Sequence, residues 1–258
     1  MKRYDSAVSP VVGVMLMLVI TIVIAAVVSA FAGSLASANA DKAPTLAMDV
    51  RVVNTGQYLG SGFFATVTGA SEQIPTSDLK LITQWTNSSG GRGGATSIGN
   101  AYNFDAYVGM AGGGATAGVW TTAVAPFGFG AGVTGTGNPT NPYRANSQHF
   151  GNYTLIPGTS LSALPAPYIN GLIVAGMLPA DAALPDGGYG ITAAAADLYT
   201  YTFAGDYTPG NLNQDAAQAV LGQNWESLRA GDIVSVDVIH TPTGKTIFHA
   251  LVPVEGRS

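Results

Sequence analysis

The sequence predicts a long N-terminal hydrophobic α-helix followed by an all-β head, and three observations support this fold class. Residues 7–40 contain no charged residue, which makes an uncharged run of about 34 positions. The remainder consists of short alternating segments interrupted by Gly, Pro, Asn and Ser, a pattern typical of strands joined by turns. The 34 glycines and 14 prolines among 258 residues also favour strands and turns over long soluble helices.

Composition excludes several classes of protein. The chain has no cysteine, which excludes a disulfide scaffold, a thiolate metal site and a cysteine nucleophile. Its net charge of −5 provides no basic surface for phosphate groups, so we expect no nucleic-acid partner. Only 10% of residues are charged, against about 25% in ordinary globular domains. The fraction stays near 10% without the first 40 residues, which favours a head surface that packs against other subunits or carries glycan.

The N-terminal segment is long enough to cross a membrane. Residues 11–28 form a dense apolar stretch, close to the roughly 20 residues that a spanning helix requires. Lys2 and Arg3 precede the segment and favour a cytoplasmic N-terminus. Asp41 and Lys42 mark its end.

Three interpretations of this segment compete. A secretory signal peptide is supported by the A-x-A pattern at residues 36–38, but its apolar region normally has only about 7–15 residues. A plain transmembrane anchor holding an outer domain is the second. The third is a helix that stays in the mature protein after a short leader is removed from its N-terminal side.

The third interpretation rests on residues 5–14, which read Asp-Ser-Ala-Val-Ser-Pro-Val-Val-Gly-Val. This stretch resembles the processing region of archaeal type IV pilins, in which a short charged leader precedes a Val-Ser-Pro opening. The resemblance implies cleavage by a prepilin peptidase between Ser6 and Ala7. It divides the chain into a leader (1–6), a hydrophobic helix (7–40) that anchors in the membrane and later forms a filament core, and an extracellular β-rich head (41–258).

The resemblance also implies what the helix contacts. Its partners would be the membrane before assembly, the prepilin peptidase and pilus assembly machinery, and copies of the chain in a helical homopolymer. Bacterial type IV pilins carry glutamate where this sequence has Val11, so the resemblance is to the archaeal group. Small side chains let helices approach closely. The predicted filament-core positions are Val11, Gly13, Val14, Leu18, Ile22, Ala25, Ser29 and Gly33.

Beyond residue 41 the pattern predicts strands at 46–53, 63–67, 79–85, 103–108 and 118–122, with long loops between 87 and 146. A short helix is predicted at 214–221, with Asn213 as its N-cap. A hairpin of strands 233–240 and 245–252 turns at 241–244 and resembles the closing hairpin of archaeal pilins. Many short strands with Gly and Pro turns predict an immunoglobulin-like β-sandwich head.

No catalytic constellation is visible, so we expect no enzyme activity, no cofactor and no metal. The three histidines, His149, His240 and His249, lack metal-ligand spacing. Asp181, Asp186 and Asp206 are carboxylates without the alternation of a calcium loop, which favours a solvated loop. Two N-glycosylation motifs are candidates for modification, at Asn87 and Asn152.

These observations predict a structural subunit of an archaeal type IV pilus-like surface filament, polymerising through its N-terminal helix and serving adhesion. The precursor would lie in the cytoplasmic membrane with its N-terminus inside, and the mature protein in an extracellular filament. The alternative is a monomeric, membrane-anchored or secreted, cell-surface binding module. A swimming filament resembling the archaellum, and a minor pilin that primes or tips another filament, also remain open.

Overall fold

The computed structural model describes residues 10–40, 42–57, 60–108, 119–135, 145–165, 187–190, 198–203 and 214–256. It divides into two compact units, Met1–Lys42 and Ala43–Ser258. The first contains helix α1, Pro10–Ala40, and the second is a mostly β head. A long apolar helix followed by a β-rich head was predicted, and this fold class is confirmed.

The head is built on one eight-stranded sheet in the order β5-β4-β13-β14-β1-β2-β10-β8. Strands β1 and β14 are parallel neighbours, with Val52 opposite Val254, and the other six neighbouring pairs of this sheet are antiparallel. The sheet strands are β1 (Leu46–Asn54), β2 (Gly62–Ala70), β4 (Leu79–Thr86), β5 (Arg92–Ile98), β8 (Phe127–Gly130), β10 (Thr159–Ala163), β13 (Ile233–His240) and β14 (Lys245–Gly256).

Three two-stranded ladders complete the described head. They are β3 (Ile74–Pro75) with β9 (Thr154–Leu155), β6 (Phe104–Val108) with β7 (Val119–Ala123), and β11 (Gly187–Tyr189) with β12 (Tyr201–Phe203). One short helix, α2 (Ala216–Leu221), lies between β12 and β13 in the chain.

Alternation along the central strands decides which face of the sheet is buried. In β13, Val234, Val236 and Val238 are at most 3% exposed, while the intervening Ser235 and Asp237 are only half-buried. A strand presents successive side chains to opposite faces, so every second residue enters the core. The alternation predicted for residues 233–240 is therefore confirmed, with the strand bounds as predicted.

Helix α2 packs on the buried face, where it contacts strands near both ends of the sheet: β4, β5, β2 and β10. One short helix touching both flanks requires the sheet to curl around it. The Asp215 carboxylate caps α2 by accepting from the Gln218 backbone N–H at 2.8 Å, and the Gln218 side chain accepts from the Asp215 N–H at 3.0 Å. The N-cap is thus Asp215 and not the predicted Asn213, because this reciprocal pair satisfies two helix-end donors.

The region between residues 87 and 146 contains strands that the sequence did not predict. β5 and β8 were assigned to long loops, yet both belong to the eight-stranded sheet. β5 has the sequence Arg-Gly-Gly-Ala-Thr-Ser-Ile, whose glycines disfavour a strand in isolation. Gly93 is needed because the Trp85 ring of β4 covers it: a Cβ there would lie 2.2 Å from Trp85 Cζ2.

Candidate functional site

Helix α1 is the candidate functional segment. It starts at Pro10, where the first turn of a helix needs no backbone N–H donor, and runs for 31 residues without an acidic or basic side chain in its terminal turns. At about 1.5 Å per residue it is roughly 46 Å long. The stretch Val11–Ala32 is long and apolar enough to cross a membrane by length and composition.

The large apolar side chains of α1 are exposed along the described part of the helix. The large ones between Val11 and Phe31 are 48–71% exposed, and they are distributed around the whole circumference of the helix. An amphipathic helix would turn one apolar stripe to a core and a polar face to water. A helix that is apolar on every side needs an apolar environment on every side, which means lipid or other helices.

The predicted filament-core positions fall into two groups on this helix. Val11, Val14, Leu18 and Ile22 are 58–67% exposed. Gly13, Ala25 and Ser29 are small, and a Cβ added at Gly13 would meet no atom within 4 Å. Gly33 lies in the helical backbone, and its surroundings are outside the described part of the chain.

Ala25, Ser29 and Gly33 are spaced by four residues, a spacing that places them one above the other on one helix face. Small residues at this spacing allow the backbone of a neighbouring helix to come close. Thr21, one turn earlier, satisfies its hydroxyl within the helix by donating to the Leu18 carbonyl at 2.8 Å. The Thr21 hydroxyl is therefore compatible with an apolar environment.

These features define a class of protein that combines an apolar N-terminal helix, long and apolar enough to span a membrane, with a β-rich head. Residues 6–48 match the family model of the archaeal type IV pilin N-terminal region. This match of the N-terminal segment confirms the resemblance predicted from residues 5–14, and it supports a pilin subunit. The matched family is structural and not enzymatic.

The family match covers α1, its flanks and the first three residues of β1. No curated protein and no solved structure matches the chain. The predicted leader residues Ser6 and Ala7 lie outside the described residues, and the match begins at Ser6. The cleavage position stays a prediction.

Within the head, the two hairpin histidines do not form a common site. His240 pairs with Lys245 across β13 and β14, whereas His249 pairs with Asp237. His249 Nδ1 lies 2.8 Å from Asp237 Oδ1, and His240 Nδ1 lies 3.0 Å from Thr243 Oγ1. Among the residues that the structure describes, no three His, Asp or Glu side chains come together as metal ligands would. Asp181, Asp186 and Asp206 lie outside those residues.

His149 is part of the core. It is 4% exposed, its backbone N–H donates to the Asn146 carbonyl at 3.1 Å, and its ring packs edge-on against Phe127 with centroids 5.6 Å apart. A ring packed in this way contributes to the interior of the head.

Asn54 is a buried polar residue whose importance the sequence did not reveal. The sequence indicated only a turn at residues 54–56, and Asn54 Oδ1 does accept from the Gly56 N–H at 3.2 Å. The same side chain also donates through Nδ2 to the carbonyls of Leu228 at 2.8 Å and Glu226 at 3.2 Å, and it accepts from the Tyr189 hydroxyl. Burial raises the pKa of Tyr189 well above its ordinary value.

The Tyr189 ring belongs to an aromatic cluster beside this network. Its centroid lies 5.0 Å from that of Tyr201 and 4.9 Å from that of Trp225. The Trp225 indole N–H donates to the Tyr201 hydroxyl at 2.8 Å. Buried Tyr and Trp residues need such partners for their polar atoms. The cluster and Asn54 together tie the end of β1 to the segment between α2 and β13.

The parallel strands β1 and β14 are also joined at their exposed face. Arg51 donates to Glu255 through Nη2 at 2.5 Å and Nε at 3.0 Å. The Glu255 hydrogen bond raises the pKa of Arg51, and the Arg51 hydrogen bond lowers the pKa of Glu255. Both side chains are about half exposed, so solvent screens the pair and it contributes little to stability.

Proposed function

We propose that the chain is a structural subunit of an archaeal type IV pilus-like surface filament. A prepilin peptidase cuts between Ser6 and Ala7, and α1 holds the precursor in the cytoplasmic membrane with its N-terminus inside. Assembly then transfers α1 from lipid into a bundle of α1 helices from other copies. The head lies outside the cell, where the filament serves adhesion.

The observation that carries this proposal is the combination of the family match with an α1 that is exposed on every side. Leaving its side chains in water would cost about 0.8 kcal/mol per exposed CH₂. Lipid and a helix bundle both remove that cost, so transfer from one to the other is feasible. The family match at residues 6–48 favours a chain that makes this transfer over one that stays in lipid.

The small-residue face supports close packing in such a bundle. Ala25, Ser29 and Gly33 leave room for a neighbouring helix, and the hydrophobic effect does not distinguish helix–helix from helix–lipid contact. Van der Waals packing at small residues is what then favours association. Identical subunits joined by head-to-tail contacts that do not close into a ring form a helical filament.

Adhesion follows from the location proposed for the head. A filament presents many copies of its heads to the surroundings, so weak contacts of single heads add up by multivalency. The head offers irregular connections between its strands, and surface loops are where binding residues concentrate. An adhesive filament therefore suits this chain better than an enzyme.

Intact-mass spectrometry of the natural protein, combined with electron microscopy of sheared surface material, tests the proposal. We expect a mature chain that starts at Ala7 and thin filaments that contain it. An uncut Met1 without filaments would show a plain anchor. A start at Asn39 or Asp41 would show a secreted binding module, because cleavage there removes α1.

A further inference from the structure

The two N-glycosylation motifs of the chain have opposite environments in the folded head. Asn87-Ser88-Ser89 follows β4, and Asn152-Tyr153-Thr154 leads into β9. The sequence makes them equivalent, since both present an asparagine with a hydroxyl residue two positions later. Asn87 is 6% exposed, whereas Asn152 is exposed.

Asn87 uses both ends of its amide inside the fold. Its Nδ2 donates to Ser227 Oγ at 2.9 Å and approaches the Ser227 carbonyl at 3.4 Å. Its Oδ1 accepts from the Gly91 N–H at 2.7 Å and from Ser89 Oγ at 2.9 Å. A sugar carbon bonded to Nδ2 would stand about 1.45 Å from it, inside the space that separates Nδ2 from Ser227.

The turn that contains Asn87 is held in place by further bonds. The Ser88 N–H donates to Asp232 Oδ1 at 2.9 Å, and Asp232 Oδ2 accepts from the Arg229 N–H at 2.7 Å. The Asn87 N–H itself donates to the Gly91 carbonyl at 2.9 Å. A glycan on Asn87 would displace this turn from the segment before β13, and buried donors and acceptors would lose their partners.

Asn152 has the opposite arrangement. Its side chain uses one N–H of Nδ2, which donates to the Asn146 carbonyl at 2.7 Å. A primary amide carries two N–H groups, and the structure gives the second one no partner among the described residues. Replacing that hydrogen by a sugar leaves the bond to Asn146 intact.

The neighbours of Asn152 fix the backbone from which it projects. Tyr153 is 3% exposed, and its hydroxyl donates to the Pro126 carbonyl at 2.9 Å. The Thr154 N–H donates to the Gly132 carbonyl at 3.0 Å, and the Asn152 N–H donates to the His149 carbonyl at 2.9 Å. The residue after Asn152 is thus anchored in the core while the Asn152 side chain stays outside.

We infer that the folded head carries an N-linked glycan on Asn152 and none on Asn87. In the transfer, Asn152 Nδ2 attacks the anomeric carbon of an oligosaccharide linked to a lipid phosphate. The N–C bond forms as the bond from that carbon to the phosphate oxygen breaks, the amide loses one proton, and the lipid phosphate leaves. A head glycosylated on Asn87 cannot complete the β4–β5 turn.

This inference rests on the proposed function for one condition only, the export of the head to the side of the membrane on which glycans are transferred. The test uses the full chain purified from the cells that make it naturally, analysed by glycopeptide mass spectrometry. We expect all glycan on the peptide that contains Asn152. The substitution N152Q removes it.

Three further variants separate glycan attachment from folding. T154S keeps the motif, and we expect it to retain the glycan. T154V replaces the hydroxyl that the motif requires by a methyl group, and we expect it to abolish glycan attachment. Thr154 has no side-chain hydrogen bond among the described residues, so both variants fold. S89A destroys the other motif while Asn87 keeps its contacts with Ser227 and Gly91, and we expect no change in glycan content.

Glycan on Asn87 in assembled protein, or loss of glycan in S89A, would overturn the inference. Filaments that lack glycan on Asn152 would overturn it and leave the proposed function standing. A head that stays inside the cell, inaccessible to protease added to intact cells, would overturn both, which makes the two failures distinguishable.

Discussion

The Trp85 indole N–H donates to the carbonyl of Leu221, the last residue of α2, at 2.7 Å. This bond joins strand β4 to the helix around which the sheet curls. Trp85 is 5% exposed, and its ring occupies the space that a Cβ at Gly93 of β5 would enter. One side chain thus links β4, β5 and α2.

Substituting Gly93 with alanine tests this packing. We expect G93A to lower the free energy of unfolding of the head by about 2–3 kcal/mol, because the new Cβ forces the ring away and breaks its bond to Leu221. G69A is the matched control, since a Cβ at Gly69 would lie 3.7 Å from Ala47 Cβ, an ordinary contact.

Denaturant unfolding of the full chain in detergent, followed by tryptophan fluorescence, measures this difference. All three tryptophans, Trp85, Trp120 and Trp225, lie in the head, so α1 does not contribute to the signal. Equal stability of G93A and G69A would show that the ring does not occupy this space.

Asn54 offers a second test of the interior. N54D is nearly isosteric, but it replaces an amide that donates to the Glu226 and Leu228 carbonyls by oxygens that cannot donate unless protonated. We expect a loss of at least about 2 kcal/mol in the same unfolding measurement, because acceptors would then face acceptors. N146D, at an exposed asparagine, serves as the control, and a comparable loss there would contradict a specific role for Asn54.

The raised pKa of Glu226 predicts that the stability of the head depends on pH. Burial is the main cause that raises the pKa of Glu226 above its ordinary value of 4.5, and its Oε2 is buried without a partner among the described atoms. A raised pKa means that the folded state binds more protons than the unfolded state. The contribution of Glu226 to stability therefore falls as pH rises above about 4.5, and it levels off above the raised pKa.

E226Q removes this dependence. We expect the stability of E226Q relative to the natural chain to increase as pH rises from 4 to 7, measured by denaturant midpoints at each pH. E255Q provides a control of opposite sign, since Arg51 lowers the pKa of Glu255 and the stability it contributes is lost as pH falls. Parallel pH profiles for E226Q and the natural chain would refute the assignment.

In α1, a bulky substitution on the face formed by Ala25, Ser29 and Gly33 is expected to impair filament assembly without impairing membrane insertion. A25L adds bulk where we propose that a neighbouring helix packs, yet it leaves the helix apolar. We expect A25L to enter the membrane normally and to reduce filament yield strongly, whereas A25S retains both. Membrane fractionation and electron microscopy provide the two readouts, and normal filaments in A25L would contradict close packing at this face.

A charge in the same helix has a different effect. I22D places a carboxylate in the middle of the span, at a cost of about 2.5–3.5 kcal/mol on insertion scales. We therefore expect I22D to impair membrane insertion as well as assembly, measured in the same fractions. Normal insertion of I22D would argue against a spanning role for α1.

The sequence predicted the features that depend on local patterns. The uncharged run gave α1, and strict alternation gave β13 with its bounds unchanged. The N-terminal family was recognisable from residues 5–14, because the resemblance depends on a linear sequence motif. β5 was missed, because its glycines are explained only by the Trp85 ring on the neighbouring strand.

The two candidate glycosylation sites also could not be distinguished from the sequence. Both motifs are complete as linear patterns, so the sequence could not rank Asn87 against Asn152. Their difference comes from Ser227, which is distant from Asn87 in the chain and adjacent to it in the fold. Asn54 was likewise predicted as a turn residue, while its bonds to the segment near Leu228 come from the tertiary structure.

By itself the sequence determined that the chain has an apolar helix suited to a membrane or a bundle, because hydrophobicity and length are properties of a segment. It also determined the strands whose side chains alternate. Only the tertiary structure decided the sheet order, the parallel pairing of β1 with β14 and which asparagine is buried. These depend on contacts between residues far apart in the chain, and their energies arise only when the whole head has formed.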